Sequence, residues 1–132
     1  MDMELRRVNE PPDAEQALSD IPRALGFVLT RLLSHDRALL HAEHRRPEPA
    51  VTWYVRRRSE SAEGEEVPVA ALPSGTFTSM VTRVALLFGV DYRTGGRGRG
   101  ILSFEGRRFD CVVFLSRRPE SGSWIRLYAA AL

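Results

Sequence analysis

The chain has 132 residues, 43% of them hydrophobic and 27% charged, which suits one domain with one core and is too apolar for a disordered chain. Nineteen basic residues against seventeen acids leave a formal charge of +2, and all nineteen are Arg. Arginines hold the pI near 9.2, and the absence of Lys excludes Schiff-base chemistry and a phosphate-binding P-loop Lys.

The first dozen or so residues are polar, lack the apolar stretch of a signal peptide and end in Pro11-Pro12-Asp13. Residues 1–13 therefore read as a flexible arm before a single α+β domain over 14–132. A helix is predicted from about Asp20 to near Asp36. Asp20 can cap it, Pro22 is tolerated in its first turn, and Leu25, Val28, Leu29, Leu32 and Leu33 form one apolar stripe. Gly26 weakens this helix and marks a place for close packing.

The period then changes. Leu40 and Ala42 alternate with polar neighbours and predict a short strand closed by Pro47 and Pro49. Val51, Trp53 and Val55 alternate with Thr52, Tyr54 and Arg56, the pattern of a half-buried strand. The acidic run from Ser59 to Glu66 reads as a loop returning into a weak strand over Val67 to Ala70, which Pro68 pushes to a sheet edge. A second helix is predicted from Ser74 to Phe88, with Ser74 or Thr76 as cap and Gly89 as left-handed terminator. The glycine-rich stretch 95–100 breaks regular structure and reads as a flexible turn. Residues 101–104, a turn at Glu105-Gly106 and residues 109–115 make a hairpin; a longer turn from Ser116 to Ser123 leads to a last strand over Trp124 to Tyr128. Cys111, the single cysteine, lies in the apolar run Cys111-Val112-Val113-Phe114 and reads as a buried small hydrophobe. One cysteine makes no internal disulfide, and no apolar run reaches 18 residues, so the chain reads as a soluble, cytoplasmic protein of a reducing compartment. The order α-β-β-β-α-β-β-β predicts an antiparallel sheet of about six strands with two helices.

No motif specifies catalysis or a cofactor. The stretch Gly95-Gly96-Arg97-Gly98-Arg99-Gly100 follows a predicted helix and opens a strand, the reverse of a phosphate cradle. His35, His41 and His44 fall within ten residues, but their spacing suits solvated histidines better than metal ligands. The doublets and triplet Arg6-Arg7, Arg45-Arg46, Arg56-Arg57-Arg58, Arg107-Arg108 and Arg117-Arg118 are nearly matched by acids. They read as solvated faces and ion pairs, which makes nucleic acid a poor partner unless several share a face with aromatics. Arg-only usage fits both a GC-rich genome and a use of the planar guanidinium.

The order of elements and several spaced residues resemble the N-terminal, PAS-like domain that precedes the motor domain in type II secretion and type IV pilus assembly ATPases. The residues that carry this run from about Asp20 to Tyr128: His44 and Pro47 after the first helix, the strand Val51 to Arg57, the helix Ser79 to Asp91, Gly96-Arg97-Gly98-Arg99, then Gly106, Arg107 and Asp110, and finally Pro119, Gly122 and Ile125-Arg126-Leu127. Departures are Ala42 and Glu43 before His44, Arg57-Arg58-Ser59-Glu60 after the long strand, and Val112 in place of an Arg. Without a Walker Lys the implied role is not ATP hydrolysis. The resemblance implies a PAS-like fold and a non-catalytic, stand-alone interaction or regulatory module without cofactor or metal, whose partner is a protein of a secretion, pilus or motility apparatus. Its candidate contact residues are Arg97, Arg99, Arg107, Arg126 and His44. An Arg-rich nucleic-acid module and a PAS-like small-ligand sensor are the alternatives, and homodimerisation through an open sheet face is a further option.

Overall fold

A strand, two helices, three strands, a third helix and three more strands follow one another through residues 2–59, 62–118 and 120–132, the residues that the computed structural model describes. They are β1 (Asp2–Leu5), α1 (Ala14–Ser19), α2 (Ile21–Leu33), β2 (Arg37–Arg45), β3 (Ala50–Arg58), β4 (Glu63–Pro73), α3 (Ser74–Phe88), β5 (Gly95–Phe104), β6 (Arg107–Arg118) and β7 (Gly122–Ala131). The strands form one sheet in the order β1-β5-β6-β7-β2-β3-β4. Every neighbouring pair is antiparallel except β1 and β5, which run parallel. The fold is α+β. The expected antiparallel six-stranded sheet with two helices is corrected to a mixed seven-stranded sheet with three helices, and both additions come from the N-terminal segment.

That segment, read as an arm, is tied down at several points. Asp2 pairs in register with Ile101, its carboxylate accepts from Arg108 at 2.9 Å, and Arg7 forms an ion pair with Glu105 that holds the Glu105 carboxyl below its usual pKa. Val8 donates its amide to Thr30 Oγ1 at 2.9 Å and lies so close to Gly26 that a Cβ there would meet Val8 Cγ2 at 3.0 Å. Gly26 is the cost of that crossing. Asp13 caps α1 by accepting from the Gln16 amide at 2.7 Å, a capping-box spacing that Gln16 marks in the sequence.

The expected caps of α2 are present. Asp20 accepts from the Arg23 amide at 3.2 Å, and Pro22 sits in the first turn. Helix α3 starts differently: Pro73 occupies the cap position without a side-chain bond, Ser74 is already helical, and its amide donates to the Pro49 carbonyl at 2.9 Å. Gly89 ends α3 in the left-handed region at φ 70°. Both long helices lie on one face of the sheet, where Phe27, Leu32, Phe77 and Met80 meet Trp53, Phe109, Leu102 and Leu127, all at most 2% exposed. The Trp53 and Phe77 rings meet at 5.7 Å between centroids, a tilted pair at the centre of the core.

Two stretches read as loops are strands. Residues 95–100 pair with β6 from Gly95 opposite Ser116 to Gly100 opposite Cys111. Glycine is needed there because a Cβ on Gly98 would stand 2.3 Å from the Phe88 carbonyl oxygen, where the end of α3 closes on the sheet. The acidic run continues β4, where Glu66 stands opposite Arg56 with its carboxylate 4.0 Å away, so that opposite charges across the strands replace the missing apolar pattern there. β4 is an edge strand, as Pro68 suggested, and its charges suit that place. The turn expected over Ser116 to Ser123 is shorter, because β6 runs to Arg118 and β7 begins at Gly122. Pro119 of the family pattern and Glu60 and Ser61 of the acidic run lie outside the described residues. No helix among the described residues is long and apolar enough to cross a membrane.

Two outcomes follow from this packing. Gly98→Ala should cost about 1–3 kcal/mol through overpacking, whereas Gly75→Ala, which meets nothing within 4 Å in α3, should gain up to about 1 kcal/mol; denaturant midpoints of the two variants separate these effects. Cys111 is fully buried, and burial pushes its thiol up to about 12. The folded protein should therefore resist maleimide at pH 8 and become fully labelled in denaturant, as read by intact mass.

Candidate functional site

The helices cover one face of the sheet, and strand alternation sends the remaining side chains to the other. Gly98 and Gly100 on the covered side put Arg97 and Arg99 on the open side. Register carries this across the sheet. Arg97 stands opposite Phe114, Phe114 opposite Arg126, Arg126 opposite His41, and His41 opposite Tyr54. The next row holds Arg99, Val112, Tyr128, Leu39, Arg56 and Glu66. With strands about 4.8 Å apart, Arg97 and Arg126 leave the backbone about 10 Å from each other, with Phe114 between them.

The face is a mosaic of guanidinium groups and rings. Arg126 Cζ lies 4.7 Å from the Trp124 ring centroid, Arg58 Cζ 5.0 Å from Tyr128 and Arg97 Cζ 5.7 Å from Phe114. Phe114 meets Tyr128 edge to face at 5.9 Å, and His41 stacks on Tyr54 at 6.4 Å. These contacts hold planar cations over π faces, an arrangement that ammonium groups serve less well. Arg99 forks Asp110 through bonds of 2.9 and 2.8 Å, and that pairing raises its pKa further. Glu66 stands between His41, 3.1 Å away, and Arg56, 4.0 Å away. Neither Arg97 nor Arg126 has a carboxylate within 4.0 Å among the described residues.

Three of the five candidate contact residues, Arg97, Arg99 and Arg126, thus share this face. Arg107 sits at the far end of the β5–β6 hairpin, bonded to Asp36 at 2.8 Å and lying over Phe109 at 5.4 Å. His44 points to the helix side, against Phe77 at 5.8 Å, with its Nε2 3.2 Å from the Glu48 carbonyl oxygen. His41 and His44 therefore lie on opposite sides of β2. Among the described residues no three His, Cys, Asp or Glu side chains come together as a metal site. The rings of Phe114, Trp124, Tyr128 and Tyr54 were not legible as site residues. In the run from Cys111 to Phe114 every residue is apolar, so alternation within it reveals no outer face. The signal available was the alternation Trp124, Arg126, Tyr128 in β7.

A cleft of about 830 Å³ opens elsewhere, between the end of α2 and the β3–β4 hairpin, lined by Arg31, His35, Val55, Arg57 and Val67 among others. No protein-family model and no curated protein matches the chain.

If Arg97 and Arg126 are held for contact rather than for folding, their removal should leave stability intact. Arg97→Ala and Arg126→Ala should keep the wild-type urea midpoint, while Leu127→Ala on the covered face should cost about 2–5 kcal/mol in the same measurement.

Proposed function

We propose that this protein is a non-catalytic protein-interaction module related to the PAS-like domain that precedes the motor in secretion and pilus ATPases. Its docking surface is the open face of the sheet, and its partner presents an acidic segment to Arg97 and Arg126. The observation that carries this reading is a broad sheet face on which two guanidinium groups are stacked on rings and have no carboxylate partner among the described residues. Held in that way they lose little conformational freedom on binding and keep their N–H edges free to fork a carboxylate. The layout also supports the resemblance: β2 to β7 form six consecutive antiparallel strands in the sheet, with α2 and α3 across them.

A nucleic-acid partner would use the same rings and arginines. Two things favour a protein. Asp110, Glu66 and Glu43 take up Arg99, Arg56 and Arg45, so the face lacks the long track of unpaired positive charge that a phosphate chain crossing the strands would need, whereas a short acidic segment needs only Arg97 and Arg126. The ring faces that bases would need are covered by the chain's own guanidinium groups.

The test is affinity capture by the whole chain and by the Arg97→Glu/Arg126→Glu variant, with and without nuclease, followed by mass spectrometry. A secretion, pilus or motility protein should be recovered with the wild type, survive nuclease and drop at least tenfold with the variant. Recovery of no such protein above background, equal recovery by both forms, or loss on nuclease treatment would each sink the reading.

A further inference from the structure

At one end of the sheet, β2 and β6 stop and β7 begins. Arg46 follows β2, Arg117 and Arg118 close β6, and Arg93 lies in the turn from α3 to β5. These four side chains, with His44 and Ser123, line one cleft of about 110 Å³. Three separate segments thus bring four positive charges to a space with room for a tetrahedral oxyanion and a water or two.

Their environment differs from that of the seven arginines that pair with acids. Arg7, Arg23, Arg45, Arg56, Arg99, Arg107 and Arg108 each have a carboxylate within 4.0 Å. Arg46, Arg117 and Arg118 have neither an ion pair nor a side-chain hydrogen bond among the described residues. Arg93 lies 5.5 Å from its neighbour Tyr92, and the nearby Asp91 carboxylate is engaged by the Arg93 backbone amide at 2.8 Å. Like charges are therefore held together with no carboxylate within 4.0 Å of any of the four side chains among the described residues, although Tyr92 and the Asp91 carboxylate raise the pKa of Arg93, and the backbone is shaped to allow it. Gly122, at φ 137°, approaches the His44 carbonyl so closely that a Cβ would stand 2.3 Å from its oxygen. That approach sets Ser123 between His44 on β2 and Arg117 on β6, in register with both.

We infer that this cleft binds a phosphate group, carried either as the free anion or as the terminal group of a monoester. Guanidinium forks from several sides and a hydroxyl donor match the acceptor oxygens of a phosphate dianion, whose charge relieves the mutual repulsion of the four arginines. The volume admits the phosphoryl group alone, so the organic part of an ester would lie outside on the surface. The site is separate from the open face and does not depend on the reading given to that face.

Isothermal titration and amide shift mapping on the full chain, with inorganic phosphate, phosphoserine and adenosine 5′-monophosphate, test this against chloride at matched ionic strength. Saturable binding is expected, with shifts centred on Arg46, Arg93, Arg117 and Ser123, and at least a tenfold loss in Arg93→Ala/Arg117→Ala. Arg46→Gln alone should weaken binding severalfold with an unchanged circular dichroism spectrum, which keeps the test valid if the double variant folds poorly. Tighter phosphate identifies the free anion, and a tighter ester identifies a phosphorylated molecule. Shifts reproduced by chloride, or affinity unchanged in the folded variants, would overturn the assignment.

Discussion

Two long helices cover only one face of a seven-stranded sheet, and the seam where α3 closes on β5 fixes which face that is. At that seam the Phe88 carbonyl and the Val90 side chain occupy the space a Cβ on Gly98 would need. Any other residue would lift the end of α3 from the sheet. Once Gly98 faces α3, alternation leaves Arg97 and Arg99 no choice of side, and the register of β5, β6 and β7 sends Phe114 and Arg126 after them. A packing contact on the dry side thus decides the chemistry of the wet side.

The same contact explains what the sequence hid. Helix α2 was legible because its cap, its proline and its apolar stripe are all local, and the Glu105-Gly106 turn was legible because both residues adopt positive φ. Residues 95–100 were not legible as a strand. Glycine has low strand propensity, and the reason for it at position 98 lies ten residues away, in the end of a helix. The acidic start of β4 was hidden for a related reason: Glu66 belongs in a strand only because Arg56 faces it. β1 depends on partners about a hundred residues distant, Ile101 to Phe104 and Arg108.

The candidate sites show the same limit. Arg97, Arg99 and Arg126 come from two motifs and meet on one face, but His44 and Arg107 are turned elsewhere by Phe77 and Asp36. The doublets Arg45-Arg46 and Arg117-Arg118 look alike as text and behave differently as structure. Arg45 returns to Glu43 on its own strand, whereas Arg46 joins Arg117 and Arg118 beyond the strand ends. A net charge of +2 is thus a poor guide to the local field. Seven acids are spent on particular arginines, whereas Arg97 and Arg126 on the open face and Arg46, Arg117 and Arg118 at the strand ends are left unpaired among the described residues.

Those two places are joined by β7, which opens at the phosphate cleft with Gly122 and Ser123 and reaches the open face at Arg126. Four residues of strand span about 13 Å at about 3.3 Å per residue. The Debye length at physiological salt is about 8 Å, so an anion in the cleft is largely screened from Arg126. Any influence of one site on the other would have to pass through the backbone of β7, which is hydrogen-bonded to β6 on one side and β2 on the other along most of its length. A strand clamped in that way yields little. A ligand in one proposed site is therefore expected to leave the other unchanged.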